Sequence, residues 1–219
     1  HISAPRNPVG DSTLISGWSF GTITWSLYNE FEPGDLRLKA TVYNANDSLE
    51  SYTYGFHNTG YFNNKYMGRS KYSSKTANAV HNYPKNHIDM RLAEVYLIAA
   101  ELYLDDDNAK ATAYLNKVRT RSMGTSSARS SITIDDIYHE RRVEFACEGL
   151  RYWDLLRRGL DYAKLKIDAS YIPDPSYYAP DEFVDFVFDK GHMGMLPIPA
   201  DEISNANEGV LEQKIDFYK

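Results

Sequence analysis

The chain of 219 residues has one cysteine, Cys147, so no disulfide can form within it. Its neighbours Phe145 and Ala146 predict a small buried side chain with an inert thiol. No stretch reaches the roughly 20 apolar residues of a membrane span. The opening HISAPRNPVG has no basic region followed by an apolar run, so neither an export signal nor a membrane anchor is expected from these residues. Positive charge is scarce too: 24 Lys and Arg against 30 Asp and Glu leave a formal net charge of −6. That balance argues against nucleic acid or an anionic membrane as the main partner, because both call for a basic surface. The six histidines, at positions 1, 57, 81, 87, 139 and 192, form no HExxH, and "HERRVE" (139–144) misses the second His. GxSxG, GxGxxG and the P-loop are missing, and Cys147 has no recognisable base partner. No metal, no cofactor and no catalysis are expected.

Tyrosine is abundant instead, with 18 Tyr against 9 Phe and 3 Trp. Tyrosine joins flat apolar area to a hydroxyl, which suits sugar or peptide surfaces and equally suits loops that pack on their own fold. Residues 1–87 are rich in Gly, Asn, Ser, Thr and aromatics, with turns at Pro33-Gly34-Asp35, Asn58–Gly60 and Asn63-Asn64. Two short alternating runs (Leu38, Ala40, Val42 and Tyr52, Tyr54, Phe56) predict a few short strands among loops, too little to be stable alone.

Residues 88–160 change texture. Leu92, Val95, Tyr96, Ala99 and Tyr103 recur at helical spacing and predict a helix buried on that face. After Asp105-Asp106-Asp107, in which an Asp caps the next start, Ala111, Tyr114, Leu115 and Val118 predict a second helix running to Gly124, antiparallel to the first. Alanines at 93, 99, 100, 109, 111 and 113 give the pair a small-residue seam of tetratricopeptide type, and a lone hairpin of this kind needs other helices to cover it. Thr133 and Asp136 resemble a capping box opening a third, long helix that stops near Gly159. Residues 161–219 contain IPDPSYYAPDEF and GHMGMLPIPADEI, whose five prolines predict irregular or extended segments that no helix crosses.

The third helix carries "ERRVEFACEGLRYWDLLRRG" (140–159). Glu140, Glu144 and Glu148 share a stripe, with Arg141 and Arg151 three residues from Glu144 and Glu148. Beside it lies an apolar stripe of Val143, Ala146, Cys147, Leu150 and Trp153, which places Trp153 in the core. Arg91, Glu94 and Glu101 of the first helix and Arg119 and Arg121 of the second are the expected partners. Two carboxylates one turn apart could serve glycoside hydrolysis. Arginine on every side, however, depresses both pKa values, whereas a general acid needs one raised.

Six stretches resemble, in family order, the C-terminal part of the SusD/RagB family of outer-membrane glycan-binding lipoproteins. They are "FEPGDLR" (31–37), "TGYFNNKYM" (59–67), "DMRLAEVYLIAAELYL" (89–104), "AYLNKVRTRSMG" (113–124), "TIDDIYHERRVEFACEGLRYWDLLRRG" (133–159) and "LPIPADEISNANEGVLEQ" (196–213). The resemblance implies a mainly α fold of tetratricopeptide-like helical hairpins with long loops and a few short strands, and no catalysis. It implies a protein on the extracellular face of the outer membrane, held by a lipid anchor absent from this chain, that hands an oligosaccharide ligand to a TonB-dependent transporter. Family members are more than twice as long, so the chain is expected to be a C-terminal portion of one larger domain, its core completed by the missing N-terminal half.

The family shares no ligand motif, so candidates come from chemistry. Sugar rings stack flat C–H faces on Trp or Tyr, while Asn reads hydroxyls. Trp18, Trp25, Tyr61 and Tyr66, with Asn63, in the aromatic loops are the candidate ligand-binding residues. Two other functions are weighed against glycan binding: a tetratricopeptide-like scaffold for a protein segment, and, with least support, a glycoside hydrolase.

Overall fold

A computed structural model describes residues 3–55, 57–73, 86, 88–170, 187–207 and 209–213, so IPDPSYYAPDEF lies outside the described residues. They fall into two compact units. One holds the described residues up to Arg151; the other holds 152–169 with the described residues from 187 on.

The first unit begins with the loop-rich layer. β1 (Arg6–Val9) pairs antiparallel with β3 (Ser51–Thr53), and β2 (Val42–Asn44) with β4 (Tyr61–Asn63) in the register Tyr43 opposite Phe62. Short helices α1 (Trp25–Tyr28), α2 (Arg37–Thr41) and α3 (Ala45–Ser48) join them. The run Leu38-Ala40-Val42 is therefore not one strand. The Asp35 carboxylate accepts from the Arg37 backbone N–H at 2.9 Å and starts a helical turn, which reverts to strand only at Val42.

Three helices form the other layer: α4 (Leu92–Tyr103), α5 (Asn108–Met123) and α6 (Ile134–Glu144). The caps are where the sequence puts them. Asp107 Oδ1 accepts from Lys110 N at 3.0 Å, Gly124 ends α5 at φ 79°, and Thr133 and Asp136 form the capping box. Leu97 and Ala100 of α4, Leu115 and Val118 of α5, and Ile137 of α6 make the shared core. Each large aliphatic side chain buried there is worth about 1.5–3 kcal/mol.

Two expectations fail in this layer. α4 is apolar around most of its girth, so periodicity does not fix which side turns inward. The buried ridge is Leu97 and Ala100, flanked by Ala93, Tyr96 and Tyr103, while Leu92 and Val95 are exposed with Ile98 and Leu102. The long third helix is also two helices. α6 stops at Glu144, Cys147 and Gly149 take left-handed φ values of 65° and 85°, and α7 (Arg151–Arg157) starts afresh. Cys147 is half-buried, and burial pushes its thiol up to about 11, as expected of an inert side chain.

The second unit holds most of α7, α8 (Leu160–Ser170) and α9 (Ala200–Asn205) around Leu155, Ala163, Ile167 and Phe188. Trp153, expected in the core, is 62% exposed, because the break before Arg151 resets the helical phase. The second proline-rich stretch opens within a 3-10 turn (Lys190–His192), runs irregularly to Pro199, the N-cap, and continues as α9. Gln213 then folds back on Ile198, accepting from its N–H at 3.2 Å and donating to its carbonyl at 2.6 Å. Among the described residues no helix is long and apolar enough to cross a membrane.

Candidate functional site

The candidate aromatic residues do not converge on one place. Trp25 and Tyr28 are carried by α1, which Thr24 caps through its hydroxyl, and their rings lie 5.1 Å apart and nearly parallel. Tyr61 of β4 stacks under both, 4.4 Å from Tyr28 and 5.9 Å from Trp25. At 3% exposure, and packed with Val143 and Ala146 near the end of α6, Tyr61 has no face left for a ligand. Asn63 spends its carbonyl oxygen on Lys65 N at 3.0 Å, closing the turn after β4. Tyr66 lies on the rim beside Glu148 and Arg91, its hydroxyl pKa raised chiefly by burial.

Trp18 stands elsewhere, on the β1–β3 ribbon. Gly17 N donates to Pro5 O at 2.8 Å and Ser19 N to Ala4 O at 2.9 Å, so this segment runs along the entry to β1. Ser19, fully buried at φ 58°, accepts from Arg6 N at 2.9 Å and donates to Thr53 O at 3.2 Å. With Ser19 pinned inward, Trp18 and Phe20 on either side point out, 52% and 51% exposed, and meet edge to face at 6.0 Å. Gly55 has to be glycine, since a Cβ there would stand 2.7 Å from Ser19. Tyr54, 63% exposed, completes the wall of a cleft of about 440 Å³ with Arg6, Trp18, Phe20 and Gly55. Phe20 and Tyr54 escaped sequence reasoning. The signal available was the alternation Trp18-Ser19-Phe20 about a small residue.

Behind the aromatic layer lies the ionic network that the helical charges predict. Glu140 and Glu144 are buried on α6. Glu144 is bound by Arg91, by Arg121 at 2.6 Å and by Arg37 at 3.0 Å; Arg37 also takes Glu140 at 2.5 Å and Asp35 at 2.7 Å. Arg119 joins Glu140 at 3.4 Å and Glu32 at 2.6 Å, and Arg141 comes within 3.9 Å of Glu94. Glu148 lies past the end of α6, off the helical stripe, yet holds Lys65 at 2.7 Å and Arg91 at 2.8 Å. Asp35, Glu30 and Glu32 were missed because they lie in turns before α2, and Arg37 because it is the first residue of a one-turn helix too short to show a phase.

Burial alone would raise the Glu144 carboxyl, but hydrogen bonds and charge from Arg91, with Arg121 and Arg37, hold it below the usual carboxylate range. The same balance, with Arg91 and Lys65 as the cations, lowers Glu148. These are fixed anions with their lone pairs occupied, the opposite of a proton donor for glycosidic bond cleavage. On the outer side of α6, His139 Nδ1 meets Glu30 at 2.8 Å and Nε2 meets Glu32 at 3.2 Å, and the Glu30 hydrogen bond raises the imidazole pKa. Among the described residues no group of three or more His, Cys, Asp or Glu is arranged to hold a metal ion.

The chain shares its fold with known proteins. It matches the SusD family over residues 17–218 and belongs to that family. A SusD-like protein of Bacteroides ovatus is 39% identical over 79 residues, 34% of this chain and 14% of that protein. Surface glycan-binding protein A from Bacteroides thetaiotaomicron, solved in complex with laminarihexaose, superposes with a TM-score of 0.76 at 29% identity, over 97% of this chain and 46% of that one. A laminarin-binding SusD-like protein gives a TM-score of 0.73 at 32% identity, over 92% of this chain and 41% of that one. The chain thus spans less than half the length of these relatives.

Proposed function

We propose that this chain is part of a non-catalytic surface glycan-binding protein, with the cleft of Trp18, Phe20 and Tyr54 as its saccharide platform. The observation that carries the reading is the outward pair Trp18 and Phe20, two large rings kept half exposed by a fully buried serine between them. Rings presented by a pinned backbone offer a sugar an exposed apolar face at little cost in ordering the segment. Arg6 and the Tyr54 hydroxyl stand beside them to meet sugar hydroxyls. The laminarihexaose complex and the laminarin-binding neighbour support a β-glucan of laminarin type as ligand. Family membership supports placement on the extracellular face of the outer membrane and delivery to a TonB-dependent transporter. Trp25 and Tyr61 are packing residues in this reading, and Asn63 and Tyr66 stand apart from the platform.

The scaffold reading keeps one observation, the exposed apolar stripe Leu92, Val95, Ile98 and Leu102 of α4, which could take an amphipathic helix. Calorimetry with laminarin oligosaccharides, beside an assay for released reducing ends, decides between the readings. Sugar binding that Trp18→Ala weakens, without hydrolysis, is the expected result. Hydrolysis would restore the glycosidase. A chain that ignores these sugars but binds amphipathic peptides would restore the scaffold.

A further inference from the structure

Tyr54 also lines a second hollow. Its walls are Asn46, Leu49, Glu50, Ser51 and Tyr52 with Tyr54 itself, and its volume, about 440 Å³, equals that of the Trp18 cleft. The Tyr52 and Tyr54 rings are 4.9 Å apart and tilted by 50°, a step on the scale of one pyranose ring. Tyr52 is fixed: its hydroxyl donates to Asn46 Oδ1 at 2.9 Å and accepts from Asn58 Nδ2 at 3.2 Å, while its ring meets the fully buried Phe62 edge-on. Asn46 can sit there because residue 60 is glycine at φ 78°, where a Cβ would lie 2.2 Å from the Asn46 amide nitrogen. That nitrogen, and Asn58 Oδ1, are buried without a hydrogen-bond partner among the described residues. Glu50 is anchored through its backbone, donating to Val9 O at 2.9 Å, and its side chain stays exposed at the rim.

We infer that this hollow is a second saccharide subsite, so that one neutral oligosaccharide runs from the Trp18 cleft across Tyr54 to Glu50 and Ser51. The inference rests on the glycan-binding reading of the Trp18 cleft. The wall chemistry sets the ligand class. An aromatic face, a carboxylate and a hydroxyl suit a polyol that donates to Glu50, and the Glu50 charge disfavours an anionic glycan at this end. Tyr54, common to both hollows, couples them, so affinity grows with chain length until both are filled.

The test is calorimetry on the full chain with laminaritriose and laminarihexaose. Glu50→Ala removes the acceptor, and Ser51→Trp, at an exposed strand position where Trp is well tolerated, fills the hollow. Trp18→Ala is expected to weaken both sugars. Glu50→Ala and Ser51→Trp should weaken only the hexaose, by roughly 3- to 10-fold, and bring it toward the triose. Hexaose affinity unchanged in both variants, with Trp18→Ala still weakening both sugars, would overturn the second subsite and leave the first cleft standing. Both sugars unaffected by Trp18→Ala would remove the first cleft and this inference with it.

Discussion

The trio Trp25, Tyr28 and Tyr61 and the trio Trp18, Phe20 and Tyr54 are built from the same kinds of ring in the same loop-rich layer, yet they end in opposite situations. The first is stacked nearly parallel and backed by Val143 and Ala146 near the end of α6, which leaves Tyr61 at 3% exposure. The second stands on a two-stranded ribbon whose inner side is filled by Ser19 and closed by Gly55, so its rings have water on their outer faces. Aromatic content does not decide which cluster stays open to solvent. What backs each backbone segment does: a helix on the far side makes Tyr61 core and half-buries Trp25 and Tyr28 against it, and a small pinned residue leaves Trp18 and Phe20 at the surface.

The contrast sorts substitutions by what they disturb. The largest effect belongs to the wiring behind the closed trio. Glu144→Ala leaves Arg37, Arg91 and Arg121 without their shared anion and should cost about 3–5 kcal/mol in urea unfolding, with sugar affinity preserved in the molecules that remain folded. A variant that unfolds like the parent but loses binding would move the site into the network. Tyr61→Ala should come next, at about 3 kcal/mol of stability for the cavity it opens, again with affinity retained. If affinity for laminarihexaose fell with stability intact, the two trios would be one site. Trp18→Ala reverses the pattern: binding weaker by about 1–3 kcal/mol, and stability within about 0.5 kcal/mol of the parent.

The smallest effect is one of pH. His139 faces Glu30, Glu32 and, further off, Glu140, and its imidazole pKa is raised above the ordinary 6.5. Its contribution is therefore complete below about 6.5 and lost as pH rises through the raised value. Glu30, lowered from 4.5 by the His139 hydrogen bond and the Arg142 charge against the opposing effect of burial, contributes above about 4.5 and loses its share as pH falls. Stability from this contact should peak between those limits, with an amplitude under about 1 kcal/mol that His139→Ala abolishes. Paired melts of parent and variant at pH 5.5 and 8.5 check the sign.

The helical layer was legible because its signals are local. Asp107, Gly124 and the Thr133–Asp136 box act within four residues, and α5 shows its buried face in its own spacing. The inter-helical ion network was legible in part, since charges spaced along α5 and α6 and at the start of α4 supply Arg91, Arg119 and Arg121 as partners for Glu140 and Glu144. α4 misled because an all-round apolar helix carries no phase, and Trp153 because two left-handed residues, one of them Cys147, break the helix where a non-glycine residue seldom takes such a φ. In the loop layer the turns at Gly34, Gly60 and Asn63 and the presence of short strands were readable, but not which rings face water. Trp18 was named a candidate by residue type alone, its place in a cleft with Phe20 and Tyr54 needed the ribbon, and Tyr61 looked like surface until α6 stood behind it.

Arg37 reaches Glu140 across 103 residues and Glu144 across 107. During folding the guanidinium cannot leave water until α6 exists to receive it, because a buried cation without its anions is too costly to persist. Helix formation is a microsecond event, whereas contacts this distant in sequence form late and slow the overall reaction. The loop layer is therefore expected to dock after the helix is made, with Arg37 acting as a checkpoint on the order of assembly. In a stopped-flow experiment, Arg37→Met should raise the unfolding rate and leave the early helical signal untouched.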